Sequence, residues 1–157
     1  MARIIYLLIL VMFMPWHIVQ SDEDIGYKYY QKGDYEKALS VWKKELSLGK
    51  KETMYNIGLL YFFGKGVKQD LSLAFEYCKK AALMGSARAQ NNIAYMYIEG
   101  LGTKKNYVAA YAWSEIAIEN GYNSQKIKDD ASIHLTPAMR YDAGKIINNL
   151  RKEIRYD

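Results

Sequence analysis

The sequence has few of the residues on which disulfide-rich domains, metal sites and many enzymes depend. It contains 1 cysteine and 2 histidines among 157 residues. A lone Cys78 has no partner for an internal disulfide, which excludes the class of small secreted domains stapled by disulfides. No set of residues has metal-ligand spacing, and no serine has a plausible base beside it. We therefore expect no enzyme activity, no metal and no cofactor.

Cys78 and His134 are the side chains that could still suggest chemistry. Cys78 shares a stripe at helical spacing with Ala74 and Ala82, which favours a small core residue over a nucleophile. His134 follows Ala131 at a similar spacing, so we expect it on a packed helix face.

The chain also lacks an apolar run long enough to span a bilayer. The run at residues 4–14 follows Arg3 and precedes an acidic stretch that begins at Asp22. Such a run suits a secretory signal peptide, and Val19 and Ser21 suit cleavage before Asp22. We predict a cleaved signal peptide at residues 1–21, a periplasmic or secreted protein, and no membrane span after cleavage. A buried N-terminal helix is the alternative, and the lack of cysteine at the junction disfavours a lipoprotein anchor.

The charge is mildly basic, with a formal net charge of +5 at pH 7. Paired lysines fall at predicted helix ends and in loops, where they complement the helix dipole or stay solvated. Nucleic-acid binding would need a dense basic face with stacking partners. We expect no nucleic-acid partner, whereas acidic partners or a membrane surface stay open.

The dominant feature that is present is an internal repeat of 36 residues. A fixed period of this length without strand-like alternation indicates a helical solenoid, in which each unit buries its apolar face against its neighbours. The recurring positions are Asn56, Ile57, Gly58, Tyr61, Gly64, Gly66, Asp70, Ala74 and Gly85 in one copy and Asn92, Ile93, Ala94, Tyr97, Gly100, Gly102, Asn106, Ala110 and Gly121 in the next.

Each unit carries the signals of two helices. Side-chain acceptors stand where the second helix should begin, and glycines stand where a left-handed residue would close it. Between them, apolar residues recur at spacings of three and four, which is one face of an α-helix. The acceptors are Asp34, Asp70 and Asn106, and the closing glycines are Gly49, Gly85 and Gly121.

These residues carry a family resemblance. The pattern Ile-Gly-x-x-Tyr-x-x-Gly-x-Gly-Val at residues 57–67, followed by Asp70, Ala74 and Gly85, resembles the Sel-one-like repeat, a relative of the tetratricopeptide repeat. The next unit keeps the pattern, with Ala94 in place of the first glycine. The first unit lacks the four-residue glycine loop and is more similar to a plain tetratricopeptide unit. The resemblance covers residues 22–121, with units at 22–49, 52–85 and 88–121.

The pattern lapses after Gly121, and residues 122–157 are predicted to form C-terminal capping helices. Thr136 and Pro137 provide an N-cap and a proline at the first helical position. The last helix has one apolar face, which would cover the exposed end of the third unit. The expected fold is an all-α, right-handed α/α superhelix, a solenoid of three helical hairpins with C-terminal capping helices.

The resemblance implies an adaptor that holds a protein or peptide ligand in a concave groove lined by the first helix of each unit. Asn56 and Asn92 match a position where tetratricopeptide relatives use Asn to hold a ligand's backbone or carboxylate. The alternative is that these two asparagines only cap or bridge neighbouring helices. The candidate partner-binding residues are those on first helices without a clear packing role: Asn56, Leu59, Phe62, Asn92, Tyr95 and Glu99.

Three hypotheses on function follow. The first is an exported bacterial interaction module that binds a peptide or protein partner on its concave face. The second is a secreted effector or colonisation factor that acts on another cell, which the same architecture would serve. The third, a cell-wall or antibiotic hydrolase, is disfavoured because the sequence offers no catalytic residues.

Overall fold

The structure of the protein is a computed structural model that describes residues 24–154, in which every regular element is helical. The elements are α1 (Ile25–Gln31), α2 (Tyr35–Glu45) followed by a 3-10 turn (Leu46–Leu48), α3 (Lys51–Phe63), α4 (Leu71–Leu83), α5 (Ala87–Glu99), α6 (Tyr107–Glu119), α7 (Gln125–Ser132) and α8 (Pro137–Glu153). The predicted signal peptide lies outside the described residues. Within them, every helix is too short or too polar to cross a membrane.

The helices pair in chain order into three antiparallel hairpins, α1 with α2, α3 with α4, and α5 with α6. Each second helix also packs against the first helix of the next hairpin, which stacks the units side by side. Helices α7 and α8 both pack against α6 and close the C-terminal end. The predicted all-α solenoid of three hairpins with C-terminal capping helices is confirmed.

The second helix of every hairpin begins at a predicted cap. The side chains of Asp34, Asp70 and Asn106 accept hydrogen bonds from backbone N–H groups three residues later, at 3.3, 2.9 and 3.0 Å. Thr136 does the same for α8, with Pro137 at its first turn. Each bond satisfies one of the N–H groups that a helix start leaves without an internal partner.

The two helices of a hairpin cross at one equivalent position in every unit. The close pairs are Gly26 with Trp42 and Gly58 with Cys78, and Ala94 and Ser114 hold the corresponding positions of the third unit. A Cβ atom placed on Gly58 would lie 2.9 Å from the Cys78 Sγ. The larger the side chain on the second helix, the less room the first helix has, because interiors are close-packed.

Glycine also sets the stacking of one hairpin on the next. Gly66 and Gly102 have positive φ angles of 65° and 66°. A Cβ atom on Gly102 would lie 1.9 Å from the backbone oxygen of Leu71, at the start of α4. Gly66 meets the start of α2 in the same way, with its Cβ 2.6 Å from the backbone nitrogen of Glu36. The second glycine of each Gly-x-Gly loop therefore brings that loop against the preceding unit.

The core runs through the stack in two apolar clusters. The first joins the α1–α2 and α3–α4 hairpins around Trp42, Ile57 and Leu60. The second joins the α3–α4 and α5–α6 hairpins to α8, whose Ile147 and Leu150 reach it. The apolar face of α8 thus covers the end of the third hairpin, while its opposite face remains exposed. This is how a terminal helix closes a solenoid.

Candidate partner-binding groove

The first helices α1, α3 and α5 form the surface on which the predicted binding residues lie. Along this surface the structure places two small apolar pockets, one between α1 and α3 and one between α3 and α5. We call them the first and the second repeat pocket. A larger polar cavity lies beside the first repeat pocket. Together the three form the candidate groove.

The second repeat pocket brings together four of the six predicted residues. It has a volume of about 160 Å³, and its lining is apolar apart from the Asn92 amide and the Tyr95 hydroxyl. Tyr95 keeps 44% of its surface exposed, and Phe63 keeps 58%. The lining residues are Leu59, Phe62, Phe63, Asn92, Tyr95 and Met96.

The first repeat pocket contains a fifth predicted residue, Asn56, together with residues that the sequence did not point to. Its volume is about 200 Å³. The buried Trp42 contributes to its lining, and the Trp42 Nε1 donates to the Asp24 carboxylate at 2.9 Å. The lining residues are Tyr27, Tyr30, Trp42, Tyr55, Asn56, Leu59 and Arg88.

The two pockets occupy equivalent positions in successive units. Gly26 and Gly58 both mark the crossing point of their hairpins, so the inner-face residues of α1 can be matched to those of α3 by counting from these glycines. Leu59 belongs to both pockets and separates them. The matched positions are Tyr27 with Leu59, Tyr30 with Phe62, Asn56 with Asn92, and Leu59 with Tyr95.

This matching explains why Tyr27 and Tyr30 were missed. The loop of the first unit is four residues shorter, so a strict period of 36 residues does not bring α1 into register with α3. Counting from the crossing glycine instead of the period would have found both tyrosines. The inner face of α1 is therefore part of the same surface.

The two asparagines differ in their surroundings. The Asn92 Nδ2 donates to the Tyr55 hydroxyl at 3.5 Å, so this side chain bridges α5 to α3 as the alternative interpretation expected. Asn56 is half-buried and has no hydrogen-bond partner within residues 24–154. Because it has no such partner, the amide of Asn56 is available to a ligand. Burial raises the pKa of the Tyr55 hydroxyl, which therefore stays protonated at neutral pH.

Glu99 stands apart from the other five predicted residues. It is exposed at the end of α5, one turn beyond Tyr95, and lines neither repeat pocket.

The polar cavity has a volume of about 510 Å³ and lies where α3 and α5 begin. Lys51 and Glu52 come from the first turn of α3, Arg88 from the first turn of α5, and Tyr122 from the turn after α6. This cavity was not predicted from the sequence, although Glu52 and Arg88 stand one 36-residue period apart in its lining, because the charge at this position changes sign between the two units.

Among residues 24–154, Arg88 is the only charged side chain that lines either repeat pocket. It is exposed and forms no hydrogen bond or ion pair with the part of the chain that the structure describes. In the neighbouring cavity, the carboxylate of Asp24 already accepts from the Trp42 Nε1 and from the Tyr27 backbone N–H, both at 2.9 Å. The Arg88 guanidinium therefore lies at the edge of the first repeat pocket without a carboxylate partner among the described residues.

Lys65 closes the loop end of the groove. Its Nζ lies 5.2 Å from the ring centre of Tyr30, 4.9 Å from that of Tyr35 and 5.8 Å from that of Phe63. It also donates to the Tyr30 hydroxyl at 3.3 Å, and this hydrogen bond raises the pKa of Lys65. A cation held among three rings fixes the α3–α4 loop against the first hairpin.

Cys78 and His134, the side chains that could suggest chemistry, both lie in surroundings typical of structural residues. Cys78 is 1% exposed, and burial raises the pKa of its thiol to about 12, which leaves it protonated and inert near neutral pH. His134 does not lie on a packed helix face, because α7 ends at Ser132; it is exposed and stacks on Tyr107 with ring centres 4.0 Å apart. Among the described residues, no three metal-ligating side chains come together.

Comparison with known proteins agrees with the helical-repeat fold. A family model described as Sel1 repeat matches residues 17–33, 51–86 and 87–122, more than half of the chain. A search of curated proteins returns no match. Among solved structures, a protective antigen present in uropathogenic Escherichia coli strains and displaying an SLR fold is similar, with a TM-score of 0.78 and 27% identity. The match covers 83% of this chain and 29% of that one.

A Sel1 repeat protein from Oxalobacter formigenes is also similar, with a TM-score of 0.62 and 27% identity. That match covers 82% of this chain and 56% of the other. The chain thus spans less than a third of the first of these structures and just over half of the second.

Proposed function

The chain belongs to the Sel1 repeat family, whose members generally mediate protein–protein interactions, and we propose that it is an exported interaction module that binds a peptide segment of a protein partner in the groove of α1, α3 and α5. The observation that carries the proposal is the pair of equivalent pockets on successive units. Partly exposed aromatic side chains with a few polar groups between them are typical of recognition surfaces.

The role of interaction module agrees with what the site contains. The described residues bring apolar pockets, amide groups and one unpaired arginine to the groove, whereas Cys78 is buried and protonated. Family members are typically non-catalytic. Binding by shape and hydrogen bonding is therefore the function that these side chains can perform.

The groove can be tested by site-specific photo-crosslinking in the producing cell. A photoreactive residue at Leu59, which both repeat pockets share, should give a discrete adduct with the partner. The matched control is the same residue at Lys79, which is exposed on α4. An adduct from Lys79 but none from Leu59 would show that the partner binds another face and would refute the groove.

Export is tested separately, by cell fractionation and N-terminal sequencing. We expect a mature protein that begins at or near Asp22 and is found outside the cytoplasm, because the sequence before it has the features of a signal peptide. Recovery of the intact chain with Met1 from the cytosol would contradict this part of the proposal.

A secreted effector or colonisation factor is the second candidate. One similar structure is described as a protective antigen of uropathogenic Escherichia coli, and this description favours a protein that the host can reach. The two candidates differ in where the partner resides. A Leu59 adduct with a protein of the producing cell supports the module, and an adduct formed only after contact with another cell supports the effector.

A further inference from the structure

Lys65 and Tyr30 form a polar contact at the first repeat pocket, and the equivalent positions at the second pocket are apolar. On the basis of the proposed function, we propose that Lys65 is a positioning residue, which fixes Tyr30 so that the Tyr30 hydroxyl donates a hydrogen bond to an acceptor oxygen of the bound segment. Tyr30 lines the first repeat pocket, whereas Lys65 lines neither pocket. Lys65 would therefore act through Tyr30 and not by contact with the ligand.

Tyr30 is held by contacts at both ends of its side chain. Its ring stacks on that of Tyr27, with centres 6.2 Å apart and an interplanar angle of 10°, and its centre lies 6.1 Å from that of Trp42. The ring of Tyr35 packs edge to face against it at 5.2 Å. At the other end, the Tyr30 hydroxyl lies 3.3 Å from the Lys65 Nζ. Tyr30 is therefore a fixed part of the pocket wall.

The bond from Lys65 determines what the Tyr30 hydroxyl can offer to a ligand. A lysine ammonium carries donors only, so the Tyr30 oxygen must accept and its own proton remains to be donated. Within residues 24–154, no group accepts that proton. Tyr30 is half-buried, and a ligand that covered its hydroxyl without accepting from it would leave a donor unsatisfied. The first repeat pocket therefore favours a ligand with an acceptor at this point.

The next unit replaces both members of the pair with apolar residues. Counting from the crossing glycines matches Tyr30 with Phe62, and the middle residue of the Gly-x-Gly loop changes from Lys65 to Leu101. The second glycine of each loop meets the preceding hairpin in the same way, so the two loops are equivalent in position. Phe62 and Leu101 are both partly buried against the same apolar cluster. The hydroxyl and the ammonium therefore change together between the two units.

The charges beside the first repeat pocket do not select a ligand charge. The adjoining polar cavity is lined by the carboxylates of Asp24 and Glu52 as well as by Lys51 and Arg88. The Lys65 ammonium is already engaged by the Tyr30 hydroxyl and by three aromatic rings. The specificity inferred is thus for a neutral acceptor oxygen, such as a backbone carbonyl, which needs no counter-ion.

The pair can be tested in the producing cell with the photoreactive residue at Leu59 as the probe. Tyr30→Phe removes the hydroxyl and Lys65→Leu removes the ammonium, and together they install the residue types of the next unit. Each single substitution should lower the yield of the Leu59 adduct about fivefold, the loss expected for one hydrogen bond. The double variant should lose no more than either single one, because both changes remove the same interaction.

Two control variants separate positioning from folding. Lys65→Arg should retain most of the adduct, because a guanidinium also donates hydrogen bonds and stacks on aromatic rings. Lys68→Leu, at an exposed position of the same loop, is the matched control and should leave the yield unchanged. All variants should keep the helical circular dichroism of the parent protein, so that a lower yield reports binding and not loss of fold.

A second measurement needs no partner. In NMR spectra of the purified protein, the three surrounding rings should shift the ε-methylene protons of Lys65 upfield of those of Lys68. Equal chemical shifts would show that Lys65 is not held among the rings and would overturn its positioning role.

The outcome is separable from that of the proposed function. If the parent protein gives a Leu59 adduct that Lys65→Leu leaves unchanged, the groove stands and the role of Lys65 is wrong. A loss in Lys65→Leu without a loss in Tyr30→Phe, or additive losses in the double variant, would show that Lys65 does not act through Tyr30 and would also overturn the inference. No adduct from the parent protein would refute the groove, and this inference with it.

Discussion

The closest approach inside the second hairpin gives a quantitative test of how the units are packed. At Gly58, an added Cβ atom would lie 2.9 Å from the Cys78 Sγ and 3.4 Å from the Ala74 backbone oxygen. Optimal contact between such atoms is roughly 3.5–4.0 Å, so Gly58→Ala must push the helices apart by about 0.5–1 Å. Overpacking of this kind destabilises by about 1–3 kcal/mol.

A helical glycine replaced by alanine also gains about 1 kcal/mol from helix propensity, so the net loss should be about 1 kcal/mol. Gly144 on α8 is the matched control, because its added Cβ atom would meet nothing within 4 Å. Gly144→Ala should therefore raise the free energy of unfolding by about 1 kcal/mol. The difference between the two substitutions, measured by urea denaturation, isolates the cost of the contact.

The third unit shows how the contact can be relieved. There, Ala94 occupies the position of Gly58, and Ser114 occupies that of Cys78. The Ser114 hydroxyl donates to the Tyr111 backbone oxygen at 2.8 Å, so a serine at this position can satisfy itself within its own helix. Cys78→Ser should cost about 1 kcal/mol alone and should recover most of the loss when combined with Gly58→Ala.

The double-mutant cycle over Gly58 and Cys78 should therefore give a coupling energy of about 1 kcal/mol or more in favour of the alanine–serine pair. Contacting residues normally show coupling of this size, whereas independent sites add within about 0.5 kcal/mol. Additive free energies in the cycle would show that the sulfur atom is not what excludes a methyl group at this crossing, and the packing argument would fail.

Three further predictions concern stacking, ionisation and the groove. Gly102→Ala should destabilise by about 3 kcal/mol or more in urea denaturation, whereas Gly100→Ala, which has a similar positive φ but no such close contact, should cost only about 1–2 kcal/mol; equal losses would refute the contact. Because burial raises the Cys78 pKa from 9.0 to about 12, the folded state keeps a proton that the unfolded state releases, so stability should fall by about 1.4 kcal/mol per pH unit between pH 9 and about 12. The Cys78→Ser protein should lack this pH-dependent loss of stability. If both proteins lost stability identically at alkaline pH, the burial of a protonated Cys78 thiol would be contradicted. The combined substitutions Asn56→Ala and Asn92→Ala should weaken binding of the partner identified by crosslinking by about 1–3 kcal/mol, without loss of the helical circular dichroism signal. Unchanged affinity would exclude a role of the two amides in binding.

The fold could be predicted because its signals are local and repeated. Caps such as Asp70 and Asn106 act within one turn, and the closing glycines act at a single residue, so each can be recognised without knowing the tertiary structure. The period then adds the information that identical units stack. The prediction that His134 lies on a packed helix face was wrong, because the helical spacing of the sequence continues past Ser132, at which α7 ends.

The groove was only partly predictable. Asn56 was predicted because it recurs as Asn92 without a clear packing role, and Leu59 was predicted because its position differs between units. The structure places both residues in the pockets. Tyr27 was missed because the shorter first loop shifts its register. Arg88 was missed because its counterpart one period earlier, Glu52, has the opposite charge, so the position does not recur as one residue type. Pockets between units depend on how helices from different units face each other, and a pattern within one unit does not contain that information.

The shared position of Leu59 has a consequence for how binding and stability are related. Each repeat pocket is lined by residues of at least two units, and the first also includes Arg88 of the third unit, so a single hairpin has no complete pocket. A segment that fills both pockets contacts α1, α3 and α5 together, and it therefore binds only when three successive units are stacked. Any ligand that binds the stacked state and not the separated one stabilises it in proportion to the logarithm of its concentration. The contacts made by Gly66 and Gly102 hold the units in that state without ligand. Under the proposed function, the stacking glycines would thus preorganise the groove in which the aromatic side chains contact the ligand.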